Sequence, residues 1–334
     1  MANIVITEAS GQLPALFGDI QEPLCSYIEH RAEIIEAEEK AMFKIFRQTK
    51  STHFAEGYRY ETEMDDMLPV GENGAYPTTG YQEGYPQTIY NETFKQSFAI
   101  SQEAIEDNVL TTIQRKPEKL LRAYYRGRAR LLARMIGEAL QGHDSFVVNG
   151  RPFKTTCSDG QNVFSSSHPL KVKGGTQSNV YSDAFSASSL FAGMTAMQNQ
   201  KDDNGNTLGI SPDTILIGNN NPNLKKTVIE VVASMQSPGT ANNDINPVFG
   251  NFEIVIAPYL NDFLGSLASP WILFDSKYNQ DNDGNVYQDR VPLTIKSDVG
   301  ANDENIWKAR ARYGVGFVDY RQMMAFGVTG ANSL

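Results

Sequence analysis

The chain reads as an α+β protein, with helical and strand-forming stretches segregated along it instead of alternating regularly. Three observations predict this class. An unbroken helical signal runs from Pro117 to Gln141, with Leu121, Tyr124, Tyr125, Leu132, Met135 and Ala139 forming its apolar stripe. Two strongly alternating stretches lie far from it on either side, at Ile89–Ile100 and Trp307–Tyr320. Between helix and second stretch, residues 212 to 275 hold short apolar runs flanked by turn signals, a compact α/β unit of their own. With 334 residues, 40% of them hydrophobic, the chain can bury one large core or two modest ones.

The elements follow in order. The first twenty residues, with Pro14 and Gly18, predict an extended arm, and Leu24, Ile28, Ile35, Met42 and Phe46 predict a helix from Glu22 to Gln48. From Ser51 to Ser101 the period changes to two. Phe54–Tyr60 forms one side and Ile89–Ile100 the other, where Tyr90, Glu92, Phe94, Gln96, Phe98 and Ile100 share a face. Between them Pro69, Gly71, Gly74, Pro77, Gly80, Gly84 and Pro86 predict the tip of a long hairpin. The long helix opens at Pro117, stops at Gly142, and would run about 37 Å, with Gly127 and Gly137 weakening its straightness.

Further on, residues 149 to 179 read as loops with short strands, and a helix is predicted from Ala184 to Gln200. Thr214–Gly218, Phe252–Ala257 and Trp271–Phe274 read as buried strands, with a helix from Pro222 to Met235. Val291–Ser297 and Trp307–Tyr320 then alternate, Trp307, Ala309, Ala311, Tyr313, Val315 and Phe317 on one face and Lys308, Arg310 and Arg312 on the other. The chain leaves one domain, builds a second and returns to the first.

Composition excludes several functions. A net charge of −10 and a pI near 5.0 have the wrong sign for a surface that grips nucleic acid throughout. Cys25 and Cys157 stand apart, with no zinc or disulfide spacing. Residues 1 to 10 lack a signal peptide's basic start and apolar run, and no stretch nears the roughly 20 apolar residues of a membrane span. A cytoplasmic site of synthesis and no membrane partner are expected. Catalytic motifs are missing too: neither GxSxG, HExxH nor a phosphate-binding glycine loop occurs. His168 beside Ser165 and Ser167 is a weaker reading as a base than as a loop histidine. Asp281–Asn285 and Asp202–Gly205 resemble pieces of calcium loops, but their twelfth positions are Pro292 and Asp213, so both read as turns. No enzyme activity, metal or cofactor is expected.

A lone hairpin has no second layer on which to bury Tyr60, Tyr90, Phe94 and Phe98. The arm, with Ile4, Val5, Ile6, Leu13, Leu16 and Phe17, poses the same problem at about 1.5–3 kcal/mol per buried apolar side chain. Either both segments fold back on their own domain, or they lie on neighbouring copies in a closed symmetric assembly, the reading preferred here. Tyr60, Tyr76, Tyr81, Tyr85, Tyr90, Phe94 and Phe17 are then the candidate inter-subunit residues.

The order of elements, together with Val163–Leu170, Thr214–Asn219 and Arg312–Asp319, resembles the major capsid proteins of tailed bacteriophages, with their Hong Kong 97-like fold, over nearly the whole chain. No single phrase is a strict signature; the combination carries the likeness. The resemblance implies an N-terminal arm and helix over 1–51, an extended loop over 52–100, a peripheral domain over 101–211 and 276–320 with spine helix 117–141, and an axial domain over 212–275 and 321–334. It implies hexamers and pentamers tiling an icosahedral head around double-stranded DNA, assembled in the host bacterial cytoplasm and located in the virion. Its implied partners are a separate scaffolding protein, a portal and a decoration or cement protein. Covalent cross-linking through a loop lysine is not expected, since the tip from Pro69 to Pro86 has none and the loop's only lysine is Lys95. An encapsulin-like compartment and a two-domain soluble enzyme are the alternatives.

Eight cations lie between Arg115 and Arg134, and Arg122, Arg126, Arg130 and Arg134 form one stripe. They would either face packaged DNA through phosphate contacts or pair with carboxylates of neighbours or of Glu33, Glu36, Glu38 and Glu39. Pairing is the preferred reading.

Overall fold

The computed structural model describes residues 4–7, 31–32, 34–36, 40–61, 67–78, 83–101, 103, 110–236, 245–299 and 304–334. Strand β1, Ile4–Thr7, is followed after a 3-10 helix at Lys40–Lys44 by β2, Arg47–Lys50, then β3, Ala55–Glu61, β4, Glu83–Tyr90, and β5, Glu92–Ile100. Helix α1, Leu110–Leu140, leads to two small hairpins, β6 (Ser145–Val148) with β7 (Arg151–Lys154), and β8 (His168–Pro169) with β9 (Thr176–Gln177). Then come α2 (Ala187–Gln198), β10 (Thr214–Gly218), α3 (Pro222–Ala233), β11 (Glu253–Ala257), a 3-10 helix at Pro258–Phe263, β12 (Trp271–Phe274), α4 (Ser276–Asn282), β13 (Asn285–Val299), β14 (Asn305–Phe317) and β15 (Met323–Phe326).

Two sheets organise these elements. The first has the order β1-β13-β14-β5, with β2 pairing further along the same strand β13 that β1 pairs. β14 is antiparallel to both its neighbours, from Asn285↔Phe317 to Val299↔Asn305 on one side and from Tyr313↔Glu92 to Asn305↔Ile100 on the other. The second sheet has the order β11-β10-β12-β15. Its central strands are buried on both faces, which is why Thr214–Gly218 and Trp271–Phe274 read as unbroken apolar runs without alternation.

Helix α1 joins the two. Leu121, Leu132, Met135, Ile136 and Ala139 are fully buried, in one cluster with Leu293, Trp307 and Tyr313 of the first sheet and Leu216, Ile272 and Phe274 of the second. The other face of the second sheet, through Ile215, Ile217, Trp271, Leu273 and Phe326, packs on Leu190 and Met197 of α2 and Val228 and Val232 of α3. Local chemistry fixes where these helices start. Ser186 and Ser189 form a reciprocal cap on α2, Asn221 caps α3 ahead of Pro222, and Asp275 accepts from the Tyr278 amide to cap α4.

Several expectations are corrected. The strand predicted as Ile89–Ile100 is two strands that part at Asn91: β4 pairs with β3, whereas β5 pairs with β14. Phe94 stacks on Tyr313 with centroids 4.0 Å apart, and Phe98 lies parallel to Trp307 at 6.1 Å, so these rings find partners within their own chain. The arm's Ile4–Thr7 likewise pairs with its own Leu293–Lys296, because the edge of β13 offers unpaired backbone groups. The helix predicted to Gln48 gives way to the Lys40–Lys44 3-10 turn and β2, where pairing with Val286–Asp289 outweighs helical periodicity. Helix α1 begins at Leu110 and runs through Pro117, which forfeits one backbone bond; it ends as predicted, with Gly142 at a φ of 79°. Helix α2, allotted by sequence to the same domain as α1, packs on the second sheet instead.

Replacing Leu132 or Ile136 by Ala removes core volume common to both sheets. Stability should fall by about 2–5 kcal/mol in denaturant melts, and hydrogen exchange should rise in both sheets together; a change confined to one sheet would contradict this packing.

Candidate assembly surface

The hairpin of β3 and β4 stands on a polar base. Glu56 accepts from the Ser51 hydroxyl at 2.8 Å, the Thr52 amide at 2.9 Å and the His53 amide at 3.1 Å. These bonds, led by that from Ser51, lower its carboxyl from 4.5 to about 2. Buried Asn91 donates to the Ser51 hydroxyl at 2.6 Å and the His53 carbonyl at 2.9 Å, turning the chain where β4 becomes β5. Gln87 donates to the Thr156 carbonyl at 2.7 Å, and Gln288 to the Tyr58 hydroxyl at 2.9 Å. Ile89 is buried against Val286 and Val318.

The hairpin crosses β14 so closely that a Cβ on Gly314 would meet the Tyr90 carbonyl at 2.6 Å, and one on Gly316 the Ile89 side chain at 2.7 Å. This gives the Arg312–Asp319 phrase its physical reason. Sequence reasoning missed Glu56, Asn91 and these glycines as anchors, although two glycines inside a strong strand pattern do signal close backbone approach.

Beyond this base the hairpin is apolar and open. Met67 is 100% exposed, Tyr76 94%, Leu68 65% and Val70 52%. Phe54 and Tyr90 form an exposed edge-to-face pair, centroids 5.8 Å apart, and Tyr85 is part-exposed beneath the Lys171 ammonium at 4.7 Å. Of the candidate residues, Tyr76, Tyr85 and Tyr90 therefore share this projection, while Phe94 does not. Tyr60 lies in β3, but its side chain, like the whole of Tyr81 and Phe17, falls outside the described residues. A second exposed apolar group, Ile229, Met235, Ile245 and Phe249, lies around α3 and the segment before β11.

The arginine stripe pairs mostly with its own chain. Arg122 contacts Glu118 at 3.2 Å, Arg130 contacts Asp262 at 2.9 Å and Arg134 contacts Glu138 at 3.0 Å. Arg126 is exposed, with no ion pair among the described residues. Of the carboxylates proposed from sequence, Glu33, Glu38 and Glu39 lie outside those residues, and Glu36 lies within them but forms no ion pair with the stripe; Glu118, Asp262 and Glu138 take that part. Arg128, one of the eight cations, lies off the stripe. It is buried in a box of rings, its guanidinium 4.6 Å from Phe43, 4.9 Å from Tyr287 and 5.3 Å from Tyr124.

His168 is fully buried, within 2.6 Å of Asp159 and 3.2 Å of Asn179, and stacked on Tyr320 at 3.5 Å. It serves loop structure and not a serine. Asp203 is held by Arg321 and Asp283 by Arg47, the bonding of closed turns.

A family profile described as phage capsid protein matches residues 85–325. The chain belongs to the phage capsid protein family. It is thus a structural component of a virion head and not an enzyme, as its likeness to tailed-phage major capsid proteins implied. The capsid of Ralstonia phage GP4 shares its fold at a TM-score of 0.53 with 8% identity, covering 84% of this chain and 86% of that one. Mycobacterium phage Patience does so at 0.52 with 11% identity, covering 100% and 95%. No curated protein matches the sequence.

Acid should loosen the hairpin base. Because the folded-state value of Glu56 is depressed, its contribution is complete above pH 4.5 and is lost as pH falls from there towards about 2. Pepsin cutting within residues 51–61 should rise over that window in the native protein. In Glu56→Gln the same cutting should be high at the top of the window and change little across it; matching profiles would refute the anchor.

Proposed function

We propose that copies of this capsid chain form hexamers and pentamers that tile an icosahedral head around double-stranded DNA, each hairpin lying on a neighbouring copy. The observation that carries this reading is the hairpin's exposed apolar tip on a rigid polar base. Met67, Leu68, Val70 and Tyr76 have no cover within the chain's described residues, and each gains about 1.5–3 kcal/mol when buried. The exposed group around α3 is a second surface of this kind, on the unit assigned to the axial position.

The domain division belongs to the same proposal, with two changes. α2 joins residues 212–275 and 321–334 in the axial unit, because its core residues pack there, and the loop shortens from 52–100 to 52–91, because Glu92–Ile100 pairs with β14 of the first sheet. The arm keeps the range 1–51. Tyr76, Tyr85 and Tyr90 are the proposed inter-subunit aromatics, with Tyr60, Tyr81 and Phe17 alongside them. The partners are a separate scaffolding protein, a portal, a decoration or cement protein and non-specifically held DNA.

Deleting Met67–Thr78 leaves both hairpin strands and their base intact. The variant should express as a folded subunit with native circular dichroism and a near-native Tm, yet give no shells in electron micrographs. Normal shells from this deletion would overturn the proposal.

A further inference from the structure

The two faces of the first sheet differ in kind. One packs on α1 through Leu293, Trp307, Ala309 and Ala311, and the other is open and basic. In register across three strands, Arg310 faces Lys95 on one side and Thr294 on the other, while Lys308 faces Ser97 and Lys296. Arg312 continues the row beside Thr93. Asp298 supplies one carboxylate, held by Lys308 at 2.5 Å. Lys95, Lys296 and Arg310 are exposed with no ion pair among the described residues, and the Nε of Arg312 is buried without a partner.

Like charges placed directly across a ladder repel, so Arg310 beside Lys95 weakens the sheet unless an anion covers the pair, and Lys296 lies opposite a Lys308 whose charge Asp298 already holds. Within a chain of net charge −10, residues 1–39 and the hairpin are both strongly acidic, and the hairpin is the one with an exposed tip among the described residues. Residues 55–90 carry seven carboxylates against one cation, Arg59. Glu56 is used at the base, whereas Glu72 stands exposed on the tip. The subunit's own tip is not the cover, because Met67 and Tyr76 beside it are almost wholly open to solvent.

We propose that the basic face formed by Lys95, Lys296, Lys308, Arg310 and Arg312 receives the acidic hairpin of a second copy of this chain. This rests on the shell reading above and adds to it the surface on which the hairpin lands and the force that guides it there. Opposite charge steers the encounter and fixes its register, and apolar burial at the tip then holds it.

Two experiments test the pairing. In particles assembled from mixed light and isotopically heavy chains, a carbodiimide should join Lys95, Lys296 or Lys308 to hairpin carboxylates in peptides of mixed label; absence of such peptides would overturn the proposal. Reversing the face by Lys308→Glu with Arg310→Glu, or the hairpin by Glu61→Lys, Glu72→Lys and Glu83→Lys, should each lower shell yield about tenfold. The combined variant should restore it. Full yield from both single reversals, or no rescue on combining them, would defeat the pairing. Should reversal of the sheet face leave shell yield intact and lower only their DNA content, the face belongs to nucleic acid and the hairpin pairing is wrong. If the tip deletion abolishes shells while the reversals have no effect, the shell reading stands and this pairing alone falls.

Discussion

Burial of one face of α1 is the interaction on which the rest of the subunit leans. Leu121, Leu132, Met135, Ile136 and Ala139 fill a single core with residues from both sheets, so neither sheet has a complete hydrophobic face without the helix. Each fully buried aliphatic side chain is worth about 1.5–3 kcal/mol, and the same residues serve two layers. The shared core ties together strands that are distant in sequence. β5 comes before the helix and β13 and β14 near the end, yet they pair under it, while β15 returns to the second sheet beside β12.

The helix also shows how charge is sorted by depth. Two residues on from Arg126, Arg128 sits about 200° round the helix. It therefore points inward, where ordinary solvation is lost and Phe43, Tyr124 and Tyr287 offer their ring faces instead. The outward arginines are treated differently. Arg122 and Arg134 bond to carboxylates four residues away on their own helix, and Arg130 reaches Asp262 on the 3-10 segment after β11. Exposed pairs of this sort contribute about 0–1 kcal/mol each. Their effect is to spend the positive charge of the helix locally, whereas the sheet face of Lys95 and Arg310 keeps its charge unspent.

What the sequence disclosed follows the same logic of burial. Strands covered on both faces read as solid apolar runs, as in Thr214–Gly218, and a strand covered on one face alternates, as in Trp307–Phe317. The long helix and its stop at Gly142 were equally plain. The division at Asn91 was not, because a period of two continues through it from β4 into β5, and only the choice of partner strand separates them. Asn91 itself looked like one more polar residue on an outer face, although it is buried and holds the turn. The β1 pairing was hidden for a similar reason: four residues are too few to carry a pattern, and their stability comes from an edge of β13 nearly three hundred positions away. Of the candidate site, the projecting tip was legible from its prolines and glycines. Its anchors were not, since Glu56 accepts from the Ser51 hydroxyl and two amides and Gln87 donates to a distant carbonyl, partners that a linear reading cannot place.

A projection of this kind carries a hazard that its composition addresses. An exposed run containing Met67, Leu68 and Val70 invites non-specific association whenever subunits are concentrated before assembly. In sequence, Asp65, Asp66 and Glu72 flank those residues with like charge, which repels a second hairpin but not a basic surface. Pro69 and Pro77 add a further block, since each lacks an amide for strand pairing with another chain. Apolar area supplies the strength of a contact and charge decides where that contact is permitted, so under the proposed pairing the tip would adhere in the finished shell and stay inert in the free subunit. Neutralising the acidic residues while keeping the apolar ones would leave the gain from burial unchanged and remove its direction, and wrong contacts would then compete with right ones on equal terms.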